Sequence, residues 1–227
     1  MRAPLSVVIP TLNAEKALPV CLAAVYEGVE AGLLRELIVV DGGSEDGTRE
    51  LADEVGADVL TVPPSRGGQL QAGAEAARGE WLLFLHADTE LSPGWSDVVG
   101  AHMARDKDRA GYFRLGFDRG GAPARFVARW ANIRSRVFGL PYGDQGLLVS
   151  RRLYRDVGGY SNIPLMEDVS MARSLRGKLS GLSHLAVTSA EKYRAQGWMK
   201  RGARNLWTLV RYFVGVSPER LAQSYRK

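Results

Sequence analysis

The sequence has one cysteine and no long apolar run, and both absences exclude classes of protein. A lone thiol, Cys21, cannot form an internal disulfide, so we expect it to be buried in a protein of a reducing compartment. No stretch reaches the ~20 uninterrupted apolar residues that a membrane-spanning helix needs, because even the apolar segment 206–216 contains Arg211. The apolar run at 5–9 lacks the basic segment and cleavage site of a secretory signal, so we expect a cytoplasmic location.

The composition indicates one globular domain with a basic tail. The 227 residues are 45% hydrophobic and 24% charged, and the 26 glycines and 10 prolines follow no strict period, which excludes collagen-like and low-complexity chains. We expect one domain over residues 1–190 and a basic helical tail over 191–227. The net charge of +5 is concentrated in that tail. From position 192 onward the tail has a single acid, Glu219, and nine basic residues: Lys192, Arg194, Lys200, Arg201, Arg204, Arg211, Arg220, Arg226 and Lys227.

Strand-like and helix-like segments alternate along the first half of the chain. Short apolar runs predict strands at 5–10, 36–41, 58–62 and 81–85, and the segments between them predict helices at 14–32, 46–55 and 67–78. Such alternation is typical of a parallel sheet with right-handed crossovers. Beyond residue 88 it loosens into predicted helices at 93–105 and 122–138 and strands at 112–117 and 146–149. We therefore expect an α/β fold with a mixed, mainly parallel central sheet flanked by helices.

Asp41 follows the second predicted strand and opens a glycine-rich turn. In open sheets of this kind, ligands bind at the carboxyl ends of the strands, so the carboxylate is a candidate for binding a nucleobase or ribose hydroxyls. It could instead cap the following helix, but Ser44 and Asp46 lie closer to the helix start and suit that role better. We therefore favour a ligand-binding role for Asp41.

A second polar cluster follows the fourth predicted strand. Asp88 stands three residues after an apolar run, where a carboxylate can hold a divalent cation together with diphosphate oxygens and water. For His86 we favour a diphosphate contact or a hydrogen-bonded buried histidine over a metal ligand. The turn before the third helix has Arg66 and two glycines, Gly67 and Gly68, a pattern that by itself is a weak indication of an anion site.

Two polar segments in the second half complete the candidate site. Glu167 and Asp168 stand at the start of a predicted helix at 170–176, where acids often only complement the helix dipole. The turn with Asp144 and Gln145 precedes a predicted strand and could hydrogen-bond a hydroxylated acceptor. With that turn as context, we favour a functional role for the acidic pair.

Four segments, in this order, resemble the family 2 glycosyltransferases of the GT-A fold. They are VIPTLNAE at 8–15, VVDGGSEDGT at 39–48, HAD at 86–88 and MED at 166–168, and the resemblance extends from residue 5 to about 176. The whole-length pattern is similar to a short bacterial subgroup labelled as arsenosugar biosynthesis glycosyltransferase-like. No residue here indicates arsenic chemistry.

The resemblance implies roles for individual residues. Six are expected to contact the donor nucleotide or its diphosphate: Pro10, Thr11, Glu15, Asp41, Arg66 and His86. The family's Asp-x-Asp motif corresponds to 86–88, where histidine replaces the first acid and Asp88 remains as the expected ligand of Mg²⁺ or Mn²⁺. On the acceptor side we expect Asp144 and Gln145.

The reaction that the resemblance implies is inverting transfer of a sugar from a nucleoside-diphosphate sugar to a hydroxyl acceptor. Asp168 is the expected general base, with Glu167 as the neighbour that could exchange roles with it. A catalytically silent nucleotide-sugar-binding protein remains an alternative, because of His86. A sugar-phosphate nucleotidyltransferase is a weaker one, because such enzymes need a glycine-rich triphosphate loop after the first strand. No nucleic-acid-binding module is present.

The tail combines apolar and basic residues at helical spacing. We favour a helix packed on the domain with its basic residues in solvent. The alternative is peripheral binding to anionic lipid at the inner face of the cytoplasmic membrane, with a lipid-linked acceptor, because the segment combines Trp207 and Phe213 with clustered cations.

Overall fold

The computed structural model describes residues 3–226; Met1, Arg2 and Lys227, the last basic residue of the tail, lie outside the described residues. The described chain forms an eight-stranded sheet with the order β3-β2-β1-β4-β7-β6-β8-β5. Its strands are β1 Leu5–Thr11, β2 Leu34–Asp41, β3 Asp58–Thr61, β4 Trp81–Phe84, β5 Thr89–Leu91, β6 Ala110–Phe117, β7 Leu147–Ser150 and β8 Leu179–Thr188.

Ten α-helices flank or extend this sheet within residues 3–226. They are α1 Leu18–Glu30, α2 Thr48–Glu54, α3 Arg66–Ala76, α4 Trp95–Arg105, α5 Gly121–Phe138, α6 Arg151–Asp156, α7 Glu167–Ser174, α8 Glu191–Gln196, α9 Trp198–Phe213 and α10 Pro218–Arg226. A short 3-10 helix, Gly143–Gln145, precedes β7.

The predicted mixed sheet is confirmed. Strands β3, β2, β1 and β4 are parallel, and β7 pairs antiparallel with β4. Beyond it β6 and β8 are parallel to each other, and β5 closes the edge antiparallel to β8. The parallel half therefore delivers the carboxyl ends of β1, β2 and β4 to one edge of the sheet, where the site lies.

The central strand β1 is buried on both faces. Val7 and Ile9 pack into the apolar layer that includes α1 and α4, whereas Val8 packs into the opposite layer with α3, α6 and α7. Cys21 is buried in the first layer at 1% exposure, and burial raises the pKa of its thiol to about 12, as expected for an inert core thiol.

Several element boundaries differ from the prediction. Helix α1 begins at Leu18 instead of residue 14, because the backbone N–H of Ala14 donates to Thr48 Oγ1 in the neighbouring loop. Helix α4 begins at Trp95, after Gly94 at φ +86°, and its first amides donate to the carboxylate of Glu27 on α1. Strands β5 and β8 and helix α6 were not predicted. Because β4 ends at Phe84 and β5 begins at Thr89, Asp88 lies in the turn between these strands and not, as predicted, at the end of β4.

Close packing of α3 on the sheet generates a stability prediction. A Cβ added at Gly73 would lie 2.3 Å from Val8 Cγ1 and 2.9 Å from Val40 Cγ2. Gly73→Ala should therefore lower the free energy of unfolding by about 1–3 kcal/mol through overpacking. At about 2–4 °C per kcal/mol for a chain of this size, the thermal midpoint should fall measurably.

The control is Gly100→Ala in α4, where the nearest atoms to an added Cβ are 3.9 Å away. This variant should keep or raise the midpoint, because alanine favours the helix by about 0.5–1 kcal/mol. Equal midpoints for the two variants would contradict the packing argument.

Candidate functional site

Asp41 ends β2 beside Thr11 of β1 and is fully buried. One carboxylate oxygen accepts from Thr11 Oγ1 at 3.2 Å and from Ser44 Oγ, and the other accepts from the amides of Gly43 and Ser44 at 2.8 Å each. Burial alone would raise its pKa, but these hydrogen bonds outweigh burial and hold the pKa below the ordinary value. All four acceptor positions of the carboxylate are used within the rim in this arrangement, and direct contact with a nucleotide stays a prediction.

The loops after β1 and β2 are tied to each other. The Asn13 amide donates to Ser44 Oγ at 2.8 Å, and Asn13 Oδ1 accepts from the Glu45 amide at 2.9 Å. Glu15 is exposed and its carboxylate accepts from the Gly47 amide at 3.3 Å, while Pro10 lies half-buried within β1. These residues give one preformed rim at the carboxyl ends of the two strands.

Gln69 of α3 is a site residue that sequence reasoning missed. Its side-chain amide is 5% exposed and donates to the carbonyls of Thr11 and Val40, both at 2.7 Å. It therefore bridges the ends of β1 and β2 under the rim. A glutamine in the second turn of an otherwise apolar helix face was the available signal.

The interpretation of Gly67 and Gly68 as an anion cradle is wrong. A Cβ at Gly67 would lie 2.1 Å from the carbonyl oxygen of Ser161, and one at Gly68 would lie 2.7 Å from Asn162 Oδ1. The Gly67 amide donates to the Ile163 carbonyl at 3.2 Å. The glycines are required because the 161–163 loop passes over the helix start.

The turn after β4 carries His86 and Asp88. His86 Nε2 is buried and has no hydrogen-bond partner in the described part of the chain, so the expected hydrogen-bonded buried histidine is wrong. Burial and the charge of Arg66 lower its pKa, so the imidazole is neutral at physiological pH. Lys192, from α8 of the tail, places its Nζ 3.6 Å from Asp88 Oδ2.

Glu167 and Asp168 are the first two residues of α7. They follow Met166, whose φ of +68° turns the chain sharply into the helix. Glu167 is 2% exposed and lies 3.8 Å from the Arg66 guanidinium. Burial and the neighbouring charge of Asp168 raise the pKa of Glu167, which favours its protonated form. Asp168 Oδ2 accepts from the Gly143 amide at 2.9 Å, and its Oδ1 is buried without a partner among the described residues.

The 3-10 helix Gly143–Gln145 lies between His86, which follows β4, and Asp168, at the start of α7. A Cβ on Gly143 would lie 2.2 Å from His86 Nε2 and 2.5 Å from Asp168 Oδ2, so only glycine allows the backbone to pass between them. Burial raises the pKa of the next residue, Asp144, to about 6, and the charges of Asp168 and Asp88 add to the effect. Asp88, Asp144 and Asp168 thus share one electrostatic neighbourhood.

Three buried polar atoms meet at this turn without a hydrogen-bond partner in residues 3–226: His86 Nε2, Asp144 Oδ1 and Asp168 Oδ1. Leaving such an atom unpaired costs about 1–3 kcal/mol each. Native proteins keep few of them, so ordered water or a bound ligand is expected to supply the partners here.

Gln145 is bonded within the fold, and its predicted role on the acceptor side stays a prediction. It is fully buried; its Oε1 accepts from Ser135 Oγ of α5 and its Nε2 donates to the Phe113 carbonyl of β6 at 3.0 Å. The side chain anchors the turn to the fold.

The site fits a divalent cation only in combination with ligand oxygens. Among the described residues no group of three His, Cys, Asp or Glu side chains could hold a metal ion. Mg²⁺ sites commonly use one or two carboxylates plus substrate phosphates, and neutral imidazole also binds transition metals. Asp88 supplies one such carboxylate, with Lys192 competing for it, whereas His86 Nε2 lies 4.0 Å from Asp168 Oδ2.

Comparisons with known proteins agree with this arrangement. The model of the family "Glycosyl transferase family 2" matches residues 6–149. A "PGL/p-HBAD biosynthesis glycosyltransferase" of Mycobacterium bovis (strain BCG / Pasteur 1173P2) is 37% identical over 99 residues, which cover 40% of this chain and 38% of the relative. An uncharacterized glycosyltransferase of Mycobacterium tuberculosis (strain ATCC 25618 / H37Rv) is 36% identical over 104 residues, or 45% of each chain. The matches thus span less than half the length of these curated relatives.

Solved structures share the fold at low sequence identity. S. aureus TarS 1-349 in complex with UDP-GlcNAc superposes with a TM-score of 0.62 at 17% identity, covering 82% of this chain and 58% of that one. Glucosyl-3-phosphoglycerate synthase from Mycobacterium tuberculosis, in complex with Mn²⁺, UDP and phosphoglyceric acid, gives 0.62 at 20%, covering 94% and 79%. At these identities the likeness shows the fold alone.

The comparisons confirm the GT-A fold and the family that the sequence motifs resembled, but they do not support the arsenosugar label. Because the family model matches more than half of the chain and the same segments build the strand-end site, this protein belongs to glycosyltransferase family 2.

Proposed function

We propose that the protein is an inverting glycosyltransferase that moves a sugar from a nucleoside-diphosphate sugar to a hydroxyl acceptor. The observation that carries the proposal is the cluster of three unpartnered buried polar atoms on His86, Asp144 and Asp168 at the carboxyl edge of the sheet. A donor and an acceptor with several hydroxyls and phosphate oxygens offer partners for all three. Membership of the family supports the same class of reaction.

The donor nucleotide is proposed to lie on the rim formed by the loops after β1 and β2. TarS was crystallised with UDP-GlcNAc and glucosyl-3-phosphoglycerate synthase with UDP, which makes a UDP-sugar the first donor to test. Thr11, Glu15 and Asp41 contribute by holding this rim in shape, because their polar side-chain atoms already bond within it, and Pro10 contributes as a residue of β1 paired with Val40. Arg66, half-exposed beside Glu167, is the cation available to the diphosphate.

A divalent cation is proposed to be held by Asp88 together with diphosphate oxygens. The glucosyl-3-phosphoglycerate synthase complex contains Mn²⁺, which makes it the first ion to test. When bound, such an ion neutralises charge on the leaving diphosphate. Lys192 already balances Asp88 in the described structure, so this ammonium and Arg66 supply positive charge from the chain itself.

Asp168 fits the role of general base better than Glu167. Its Oδ2 is fixed by the Gly143 amide, which leaves the unpartnered Oδ1 to accept a proton from the acceptor hydroxyl. Glu167 is buried against Arg66 with a raised pKa, so its protonated form is favoured. As the hydroxyl oxygen bonds to the anomeric carbon, its proton passes to Asp168 and the bond to the diphosphate breaks on the opposite face.

The first prediction about the reaction concerns the proposed general base, Asp168. Asp168→Asn should reduce turnover by about 10²-fold or more, because the amide keeps the Gly143 contact but cannot take a proton. The measurement is sugar transfer or donor hydrolysis over a panel of nucleotide sugars, with nucleotide binding measured in parallel. Asp97→Asn, on an exposed position of α4, is the matched control and should behave as the parent protein.

Near-normal turnover of Asp168→Asn would reject the base assignment. If the parent protein binds the donor but turns over none across many acceptors, the silent nucleotide-sugar-binding alternative replaces the proposal.

The second prediction concerns the competition at Asp88. Lys192→Met should tighten Mn²⁺ binding in the presence of UDP by about fivefold, since a partly exposed ion pair contributes up to ~1 kcal/mol. Asp88→Asn should abolish the dependence of UDP binding on Mn²⁺. Calorimetric titration measures both, with Lys107→Met, an exposed lysine after α4, as the control. Unchanged Mn²⁺ dependence in Asp88→Asn would exclude the metal role.

The third prediction uses the raised pKa of Asp144. Its folded value of about 6 exceeds the ordinary 3.8, so ionisation opposes folding. The destabilisation is absent below about pH 4 and complete above about pH 6. Asp144→Asn should therefore raise the thermal midpoint at about pH 8, by the equivalent of roughly 3 kcal/mol, and change it little at about pH 4. A gain that is the same at both pH values would contradict this account.

A further inference from the structure

Two helices, α5 and α9, expose most of their large apolar side chains to solvent. Of the seventeen large apolar side chains exposed in the described residues, eleven belong to α5, α9 or the residue directly after α9, which makes this the main exposed apolar surface. Those of α5 are Phe126, Trp130, Ile133, Val137 and Phe138; the others are Met199, Leu206, Trp207, Val210, Phe213 and Val214. Trp130 is 48% exposed and Trp207 is 62% exposed.

Helix α5 is attached to the sheet through small and polar residues. Ala131 and Ser135 are buried, and Asn132 exchanges two hydrogen bonds with the backbone of Leu115, at 2.8 and 3.1 Å. The spacing of Phe126, Trp130, Ile133 and Val137 places them on one stripe of the helix. That stripe points away from the side that packs.

Helix α9 also turns polar groups inward, beside the buried Leu209 and beside Trp198, which packs against Phe117 and Tyr193. Thr208 is buried, and Asn205 bonds to the hydroxyls of Tyr193 and Tyr225 at 3.2 and 2.9 Å. Two of its four cations also turn inward: the guanidinium of Arg201 lies 5.2 Å from the ring of Tyr193, and that of Arg204 lies 4.7 Å from the ring of Tyr225. The expectation of a packed helix with solvated cations is therefore wrong for these two arginines.

Positive charge borders the outward apolar stripes. Neither α5 nor α9 contains an acid, and together they carry eight arginines and lysines. A cleft of about 1060 Å³ lies between α5 and strands β6 and β8, and its lining includes five arginines: Arg114, Arg119, Arg125, Arg129 and Arg136. The one acid in the lining, Asp118, lies 3.5 Å from Arg119. The other four arginines have no carboxylate within 4.0 Å among the described residues.

We propose that the outward faces of α5 and α9 bind the surface of an anionic lipid bilayer, with lipid headgroups in the arginine-lined cleft. Apolar side chains that include two tryptophans, bordered by cations, match the acyl boundary and the negative headgroups of such a surface. Within residues 3–226 no helix could span a membrane, so the contact is peripheral. A second copy of this chain fits less well, because a two-fold contact would bring the same arginines face to face.

The test is flotation of the full chain with phosphatidylcholine vesicles, with and without phosphatidylglycerol. We expect binding to the anionic vesicles, weak binding to the neutral ones, and release at high salt. The double variant Trp130→Glu, Trp207→Glu should lose binding, because both changes place a charge on the apolar face. Tyr26→Glu, at a side chain 59% exposed on α1, is the matched control and should bind as the parent protein.

A second set tests the charge. The triple variant Arg125→Gln, Arg129→Gln, Arg136→Gln should weaken binding about hundredfold, at about fivefold per cation. The control triple variant, Arg49→Gln, Arg105→Gln, Arg155→Gln, removes the same charge from exposed positions elsewhere and should bind more tightly than the first triple variant. All substituted residues of the first set lie on the exposed side of α5, and circular dichroism verifies folding.

Three results would overturn the proposal, and none of them depends on transferase activity. They are absence of binding to anionic vesicles by the parent protein, equal loss in both triple variants, and a dimer in solution that Trp130→Glu, Trp207→Glu dissociates. The last result would assign the same surface to a second copy of the chain.

Discussion

The structure depends on the backbone passing between His86 and Asp168 at Gly143. A Cβ at that position would lie 2.2 Å from His86 Nε2 and 2.5 Å from Asp168 Oδ2, so both side chains would have to shift to admit a larger residue. The turn then fixes Asp168 through one amide and presents Asp144, while Gln145 anchors it to α5 and β6. Residues from distant parts of the chain thereby form one site with a fixed geometry.

Two buried carboxylates of this protein, Asp41 and Asp168, differ in how completely they are hydrogen-bonded. Asp41 accepts four hydrogen bonds from its own rim and thereby holds the loop after β2. Asp168 keeps one oxygen without a hydrogen-bond partner among the described residues, which lowers the stability of the fold. Such a cost is typical of a functional site, where a ligand can complete the pairing. The proposed base, Asp168, and the rim residue Asp41 are both carboxylates. They differ in the number of hydrogen bonds that each accepts within the described residues.

The parallel half of the sheet could be predicted because its strands are short apolar runs separated by helices, and the motifs predicted the family. Contacts between distant segments could not be predicted. In the sequence alone, Gly67 and Gly68 match the pattern of an anion site. The structure shows that glycine is needed there because the 161–163 loop passes close to both residues. Gln145 resembles a ligand contact until its partners on α5 and β6 are known. Strand β8 was missed because much of it is partly exposed, which weakens its apolar pattern.

Helical periodicity predicted an amphipathic tail but cannot tell which face turns inward. The decision comes from neighbours that the helix pattern does not contain: the rings of Tyr193 and Tyr225 receive Arg201 and Arg204, so the apolar stripe of α9 must face away. Helix α5 follows the same rule, because Asn132 and Ser135 occupy its inner side. Ser135 is hydrogen-bonded to Gln145, which follows Asp144 in the turn of the site. Helix α5, on which the proposed bilayer contact depends, is therefore joined by a buried hydrogen bond to the turn that carries Asp144.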